Sequence, residues 1–199
     1  MWLVGICSCC LFCLYQPFMK IWVGEELMID NTTMILFVLY FYSGCLCSIS
    51  NVYSTAKGLW WNLRVKSVFE IIVNLGLNIL LVVLYGMRGI IIATVISYVF
   101  VSFCWGSYVL FKEYFGIKLF WPLLYSMVFR FLLTFSACTI CCLLLRFLPV
   151  TNMFLSLAAR LFLALAISNI VFVIVFRKTE YFQYMKSLLA MLMKPFYKA

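Results

Sequence analysis

Residues 68–85 read VFEIIVNLGLNILLVVLY, residues 86–88 read GMR, and residues 89–111 read GIIIATVISYVFVSFCWGSYVLF. A hydrocarbon core about 30 Å thick takes about 20 apolar residues of helix to cross. Each long run is near that length, and the three residues between them leave room only for a reversal. The stretch therefore predicts two adjacent membrane-crossing helices, with the small residues Gly86 and Gly89 allowing close approach at the turn. The only charged side chain in either run is Glu70.

Working outward, the same pattern recurs on both sides. The apolar runs are Trp2–Tyr15, Thr33–Val52, Val68–Tyr85, Gly89–Phe111, Leu123–Leu145 and Met153–Phe176. The first is short for a complete crossing, and the others are near the required length. The chain has 199 residues, of which 67% are hydrophobic and 11% charged, with a mean hydropathy of +1.14. A soluble domain carries about 25% charged residues because its surface faces water. The fold class read from this is an all-α polytopic membrane protein with about six transmembrane helices. The bundle occupies residues 1–176, and residues 177–199 form a basic amphipathic tail along the cytoplasmic interface. No length remains for a soluble catalytic domain.

A net charge of +9 suggests nucleic acid in a soluble protein, but here the cations lie almost entirely between or after apolar runs. Topology explains them better, and no nucleic-acid partner is expected. Lys57, Arg64, Lys66, Lys112, Lys118, Arg177, Lys178, Lys186, Lys194 and Lys198 fall on one side of a six-span arrangement. Lys20, Arg88 and Arg146 fall on the other. The richer side is expected to be cytoplasmic, which puts both termini inside. Trp22, Trp60, Trp61 and Trp121 lie near span ends, where indole rings favour the headgroup region. No basic segment precedes the apolar run at Trp2, so a signal peptide is not indicated, and the start is expected to continue a longer protein.

All ten cysteines lie inside apolar runs. Cys138-x-x-Cys141-Cys142 has the form of half a zinc site, but no second half stands beside it in the sequence and the chain has no histidine. The thiols are read as small, polarisable packing groups, with no metal and no cofactor expected. An enzyme of a membrane-bound pathway is disfavoured as well. Asp30 is the sole aspartate, and the loop acids Glu25, Glu26, Glu113 and Glu180 do not form a convergent set.

Polar residues inside the spans mark interior faces, because they are costly against lipid. Glu70, Asn74 and Asn78 recur every four residues and share one helix face. Tyr40, Gly44, Ser48, Asn51 and Thr55 keep nearly that period on the preceding span, and Ala93, Thr94, Ser97 and Ser102 mark the following one. Close helix packing and a polar cavity both account for these faces, except at Glu70, where an ionisable group favours a functional role or a salt bridge at the cytoplasmic end. Arg130 and Arg160 lie within spans, about 12 Å from the nearer ends at about 1.5 Å per residue. A buried arginine costs at least about 2.5 kcal/mol on insertion scales, so a protein partner, a lipid headgroup or a phosphate is expected beside each.

Several patterns go beyond membrane composition. Tyr15-Gln16-Pro17-Phe18 is followed by Trp22-x-Gly24-Glu25-Glu26. Asn51-Val52-Tyr53-x-x-Ala56-Lys57-Gly58-Leu59-Trp60 comes next. Asn74-Leu75, Tyr85-Gly86-x-x-Gly89, Ala93-Thr94, Ser97 and Trp105-x-x-Tyr108 complete the series. In this order, over about Leu14–Lys112, the chain resembles the later part of polysaccharide (O-antigen type) flippases of the multidrug/oligosaccharidyl-lipid/polysaccharide exporter superfamily. The resemblance implies the C-terminal bundle of a protein of about twelve to fourteen helices, with an N-terminal half missing. It implies flipping of a polyprenyl-pyrophosphate-linked oligosaccharide across a bacterial inner membrane during surface-polysaccharide synthesis. Arg130 and Arg160 would then contact the phosphates, Glu70, Asn74 and Asn78 would line the cavity, and membrane lipids would surround the bundle. The rival readings are half of an ion-coupled small-molecule exporter and a non-transporting remnant.

Overall fold

The computed structural model describes residues 1–145, 153–177, 179, 182–184, 187 and 191. Among these the chain forms six long helices and no strand: α1 (Trp2–Trp22), α2 (Asn31–Ala56), α3 (Trp60–Tyr85), α4 (Met87–Phe115), α5 (Ile117–Leu145) and α6 (Met153–Phe176). All six are long and apolar enough to cross a membrane. The fold is an all-α polytopic bundle. The turn at Arg146 and most of the expected amphipathic tail of residues 177–199, including Lys178, Glu180, Lys186, Lys194 and Lys198, lie outside the described residues.

The helices reach past the apolar runs. α1 continues beyond Tyr15, through Pro17, to Trp22, which gives it 21 residues rather than a short remainder. Proline removes one backbone donor, but ending the helix in an apolar setting would strand several carbonyls. The Gln16 amide also ties this turn to the following connection, donating to the Ile29 carbonyl at 2.8 Å and to Asn31 Oδ1 at 3.2 Å. The connection expected over residues 54–67 shrinks to the few residues between Ala56 and Trp60, and Arg64 and Lys66 become helical. Between α4 and α5 only Gly116, at φ +91°, interrupts the helical course.

Two local devices fix the hairpin that opened the sequence reading. Gly86 turns the chain at φ +59° between α3 and α4, in a region that side chains with a Cβ avoid. At Gly89 an added Cβ would lie 2.0 Å from the Leu81 carbonyl oxygen, so the two helices touch backbone to backbone there. Asp30 caps α2 by accepting from the backbone N–H groups of Thr32 and Thr33 and from the Thr33 hydroxyl. Arg88 pairs with the same carboxylate at 3.1 Å, which ties the α3–α4 turn to the start of α2. These hydrogen bonds, Thr33 first, hold the Asp30 carboxyl down at about 2.

Packing divides the bundle into two layers joined by α1 against α2. In one layer α1 packs on α5 and α6, and in the other α4 packs between α2 and α3. The first core contains Cys9, Cys13, Cys138, Cys141, Leu145 and Ala164, and the second contains Tyr42, Leu46, Cys47 and Phe103. α3 sits at the edge. Val65, Val68, Ile72, Leu75, Ile79 and Val83 on its outer face are all exposed, and its one buried side chain is Lys66. An outer face that is wholly apolar matches acyl chains rather than water.

Candidate functional site

A cavity of about 830 Å³ lies between the two layers, at the end of the bundle where α2, α4 and α6 finish and α1 and α5 begin. α2 supplies Ile49, Ser50 and Tyr53 to its wall, and α4 supplies Phe103, Ser107, Leu110, Phe111 and Phe115. α5 adds Leu123, Ser126, Met127 and Arg130, α6 adds Phe172 and Phe176, and Met1, Trp2, Thr179 and Phe182 complete the lining. The volume is in the range of small-molecule sites, about 300–1,000 Å³. Two stretches of α4, Ser97–Trp105 and Phe111–Phe115, are π-helical, and both contribute to this wall. The wider π turn is frequent at functional sites because it re-aims side chains within a helix.

Among the described residues Arg130 is the only charged side chain in the lining. It stands ten residues into the α-helical part of α5, or about 15 Å along the axis. Its guanidinium lies 5.8 Å from the centre of the Phe176 ring. The ion pairs among the described residues are Lys20–Glu25, Lys66–Glu70 and Arg88–Asp30, which leaves Arg130 without a carboxylate there. Trp2 frames the same space. Its ring stacks on Phe172 and Phe182, and its Nε1 donates to Asn169 Oδ1 at 3.3 Å.

Behind the cavity wall runs a polar thread. Ser50 and Ser107, both lining residues, share a hydrogen bond of 3.2 Å between their hydroxyls. Next to them Gly106 leaves room for the Lys66 side chain, whose Nζ would lie 3.8 Å from a Cβ at that position. Lys66 is 5% exposed, pairs with Glu70 at 3.3 Å and donates to Ser102 Oγ at 3.3 Å. Further along the same face Asn78 donates to Asn74 Oδ1 at 2.8 Å, and its own carbonyl oxygen is buried without a partner. The stripe is thus Lys66, Glu70, Asn74 and Asn78, one turn longer than the apolar run indicated. Lys66 belongs to the helix interior, not to a cytoplasmic connection. Its position four residues before Glu70 was the available signal.

The structure does not bring the five expected site residues into one pocket. Arg130 lines the cavity. Glu70, Asn74 and Asn78 lie on α3, outside the lining. Arg160 lies on α6, outside the lining, and its Nε donates to Ser156 Oγ at 3.3 Å. Ser50, Ser107, Ser126 and the aromatic wall were not singled out, because a cavity between helices distant in sequence leaves no periodic trace.

A second constellation joins α1 to α5. The two helices run parallel here. Gly5 lies beside Thr134, the Cys9 thiol faces Cys138 and Cys141, and Cys13 faces Cys141 and Cys142. The second half absent beside Cys138-x-x-Cys141 is therefore present in space, as Cys9 and Cys13 one helical turn apart. Cys9, Cys13 and Cys141 are all buried, with their sulfur atoms within 4.8 Å of one another. No protein-family model, curated protein or solved structure matches the chain.

Proposed function

We propose that the chain takes part in flipping a polyprenyl-pyrophosphate-linked oligosaccharide across a bacterial inner membrane, with both termini cytoplasmic and a second bundle supplying the other half of the pathway. The observation that carries this reading is Arg130. It is a guanidinium without a carboxylate partner among the described residues, in the wall of a cavity large enough for a headgroup. A guanidinium fork matches phosphate oxygens in a bidentate geometry that a lysine does not offer. Trp2, Tyr53, Phe111 and Phe115 provide flat surfaces for the apolar faces of sugar rings, while the hydroxyls of Ser50, Ser107 and Ser126 meet their polar edges. The lipid tail stays in the bilayer. Rocking of one bundle against the other then exposes the headgroup to the opposite side.

The test is complementation in a strain whose surface polymer depends on this gene. Arg130→Ala should abolish or strongly reduce polymer at normal protein level, Arg130→Lys should restore part of it, and Arg160→Ala should have the smaller effect. Full polymer with Arg130→Ala would remove the phosphate role.

One observation favours a second reading, half of an ion-coupled small-molecule exporter. The Lys66–Glu70 pair is a largely enclosed carboxylate next to the cavity wall, which is the kind of group that coupling requires. That reading predicts altered drug sensitivity in a deletion strain with the surface polymer intact.

A further inference from the structure

Five cysteines from two helices converge at one place in the bundle, four of them buried and Cys142 half-buried beside Cys13, and neither transport reading uses them. Cys9 and Cys13 project from the same face of α1, and Cys138 and Cys141 from the facing side of α5. Their exposures are 0%, 4%, 5% and 0%. Ser168 of α6 meets Cys9 and closes the third side, with its hydroxyl turned back to the Ala164 carbonyl. Leu145 and Ala164 complete the buried core, with Cys10, Phe12, Cys142, Leu163 and Ile167 packed against it.

Thiols arranged for packing alone have no reason to direct their sulfur atoms at one another. Here three of them lie mutually within 4.8 Å. Metal–sulfur bonds of about 2.3 Å in a tetrahedral site place the sulfurs about 3.8 Å apart, so closing these three on an ion shortens their separations by up to about 1 Å. Cys138, in contact with the Cys9 thiol, stands next to them as the fourth sulfur. An all-sulfur donor set without imidazole or carboxylate selects soft ions over calcium, magnesium or manganese. The i, i+4 spacing on α1 and the C-x-x-C spacing on α5 each aim two ligands from one helix face. This is the combination that structural thiolate sites use.

We propose that Cys9, Cys13, Cys138 and Cys141 form a binding site for one thiophilic d10 metal ion, Zn(II) or Cu(I), which clamps α1 to α5. Each coordinating thiol gives its proton to water as its sulfur–metal bond forms, so uptake strengthens as pH rises. The ion staples the layer that carries Arg130, at a distance from the cavity itself.

The experiment uses the full chain purified in detergent under anaerobic, reducing conditions and loaded separately with Zn(II) and Cu(I). Bound metal is counted by mass spectrometry after gel filtration, and thiolate coordination is followed by its ultraviolet charge-transfer absorption. One ion of either metal per chain is expected, with retention in Cys104→Ala. Loss of at least tenfold in affinity is expected in Cys9→Ala and in Cys141→Ala, each checked for helical content by circular dichroism. Because an alanine at a core position can disturb folding, alkylation of the intact wild type is measured as well. The reaction is run in mild denaturant, where these buried thiols open, and metal should slow it at Cys9, Cys13, Cys138 and Cys141 and leave the rate at exposed Cys7 unchanged. Absence of bound metal in the reduced wild type overturns the site, as does metal retained undiminished by both folded variants.

Discussion

Replacing Lys66 or Glu70 separates the structural account from the sequence-only reading, in which Lys66 is a loop cation in water. The side chains are 6% and 23% exposed, and the charges are 3.3 Å apart. At an effective dielectric of about 20 their attraction is about 5 kcal/mol. Desolvation offsets most of it, so the pair adds little beyond an apolar pair of equal shape. Removing one partner is different, because it leaves an enclosed charge alone and costs about 3–5 kcal/mol. Glu70 retains some solvent, so Lys66→Met falls near about 3 kcal/mol, whereas Glu70→Gln strands the more deeply buried ammonium and falls near the upper end. The double variant Lys66→Met/Glu70→Met should return to within about 1 kcal/mol of the wild type, far from the roughly 8 kcal/mol that two independent single losses would sum to. The assay is denaturant unfolding in one fixed detergent, followed by circular dichroism. Lys66→Met indistinguishable from the wild type, within about 0.5 kcal/mol, would put Lys66 in water and refute the buried stripe.

Gly89→Ala, whose Cβ would meet the Leu81 carbonyl oxygen at 2.0 Å, should cost about 2–3 kcal/mol in the same unfolding assay. Gly76→Ala on the open face of α3 meets nothing within 4 Å, and should be neutral or stabilising by up to about 1 kcal/mol. Asp30 has its folded-state pKa lowered from 3.8 to about 2, so its contribution is complete above pH 4 and is lost as pH falls towards 2. The difference in Tm between wild type and Asp30→Asn should therefore shrink across that window, and a difference independent of pH would contradict the assignment.

The membrane bundle was legible because crossing a hydrocarbon core demands long apolar runs whatever the tertiary structure. The stripe at Glu70, Asn74 and Asn78 was legible for a related reason, since helical period alone places them on one face. Lys66 was missed because a charge two residues before Val68 looks like the end of a span, whereas the helix follows its backbone hydrogen bonds and begins at Trp60. By the same logic the apolar run of α1 ends at Tyr15, whereas the helix continues through Pro17 and Lys20 to Trp22. The sites themselves depend on pairings remote in sequence. Cys9 with Cys138, and Trp2 with Arg130 across the cavity, follow from the parallel docking of α1 on α5, which no local pattern encodes. Depth in a span alone singles out both Arg130, which lines the cavity, and Arg160, which lies outside the lining.

The central claim is that Arg130 recognises the phosphates of a lipid-linked headgroup. It is tested most directly by equilibrium binding of a polyprenyl pyrophosphate, and of the corresponding polyprenyl alcohol, to the purified chain and to Arg130→Ala in the same detergent. The account predicts that the wild type prefers the pyrophosphate at least tenfold, about 1.4 kcal/mol, and that Arg130→Ala loses the preference while still binding the alcohol. Equal affinity of the wild type for both lipids, or a preference that survives in Arg130→Ala, would contradict it.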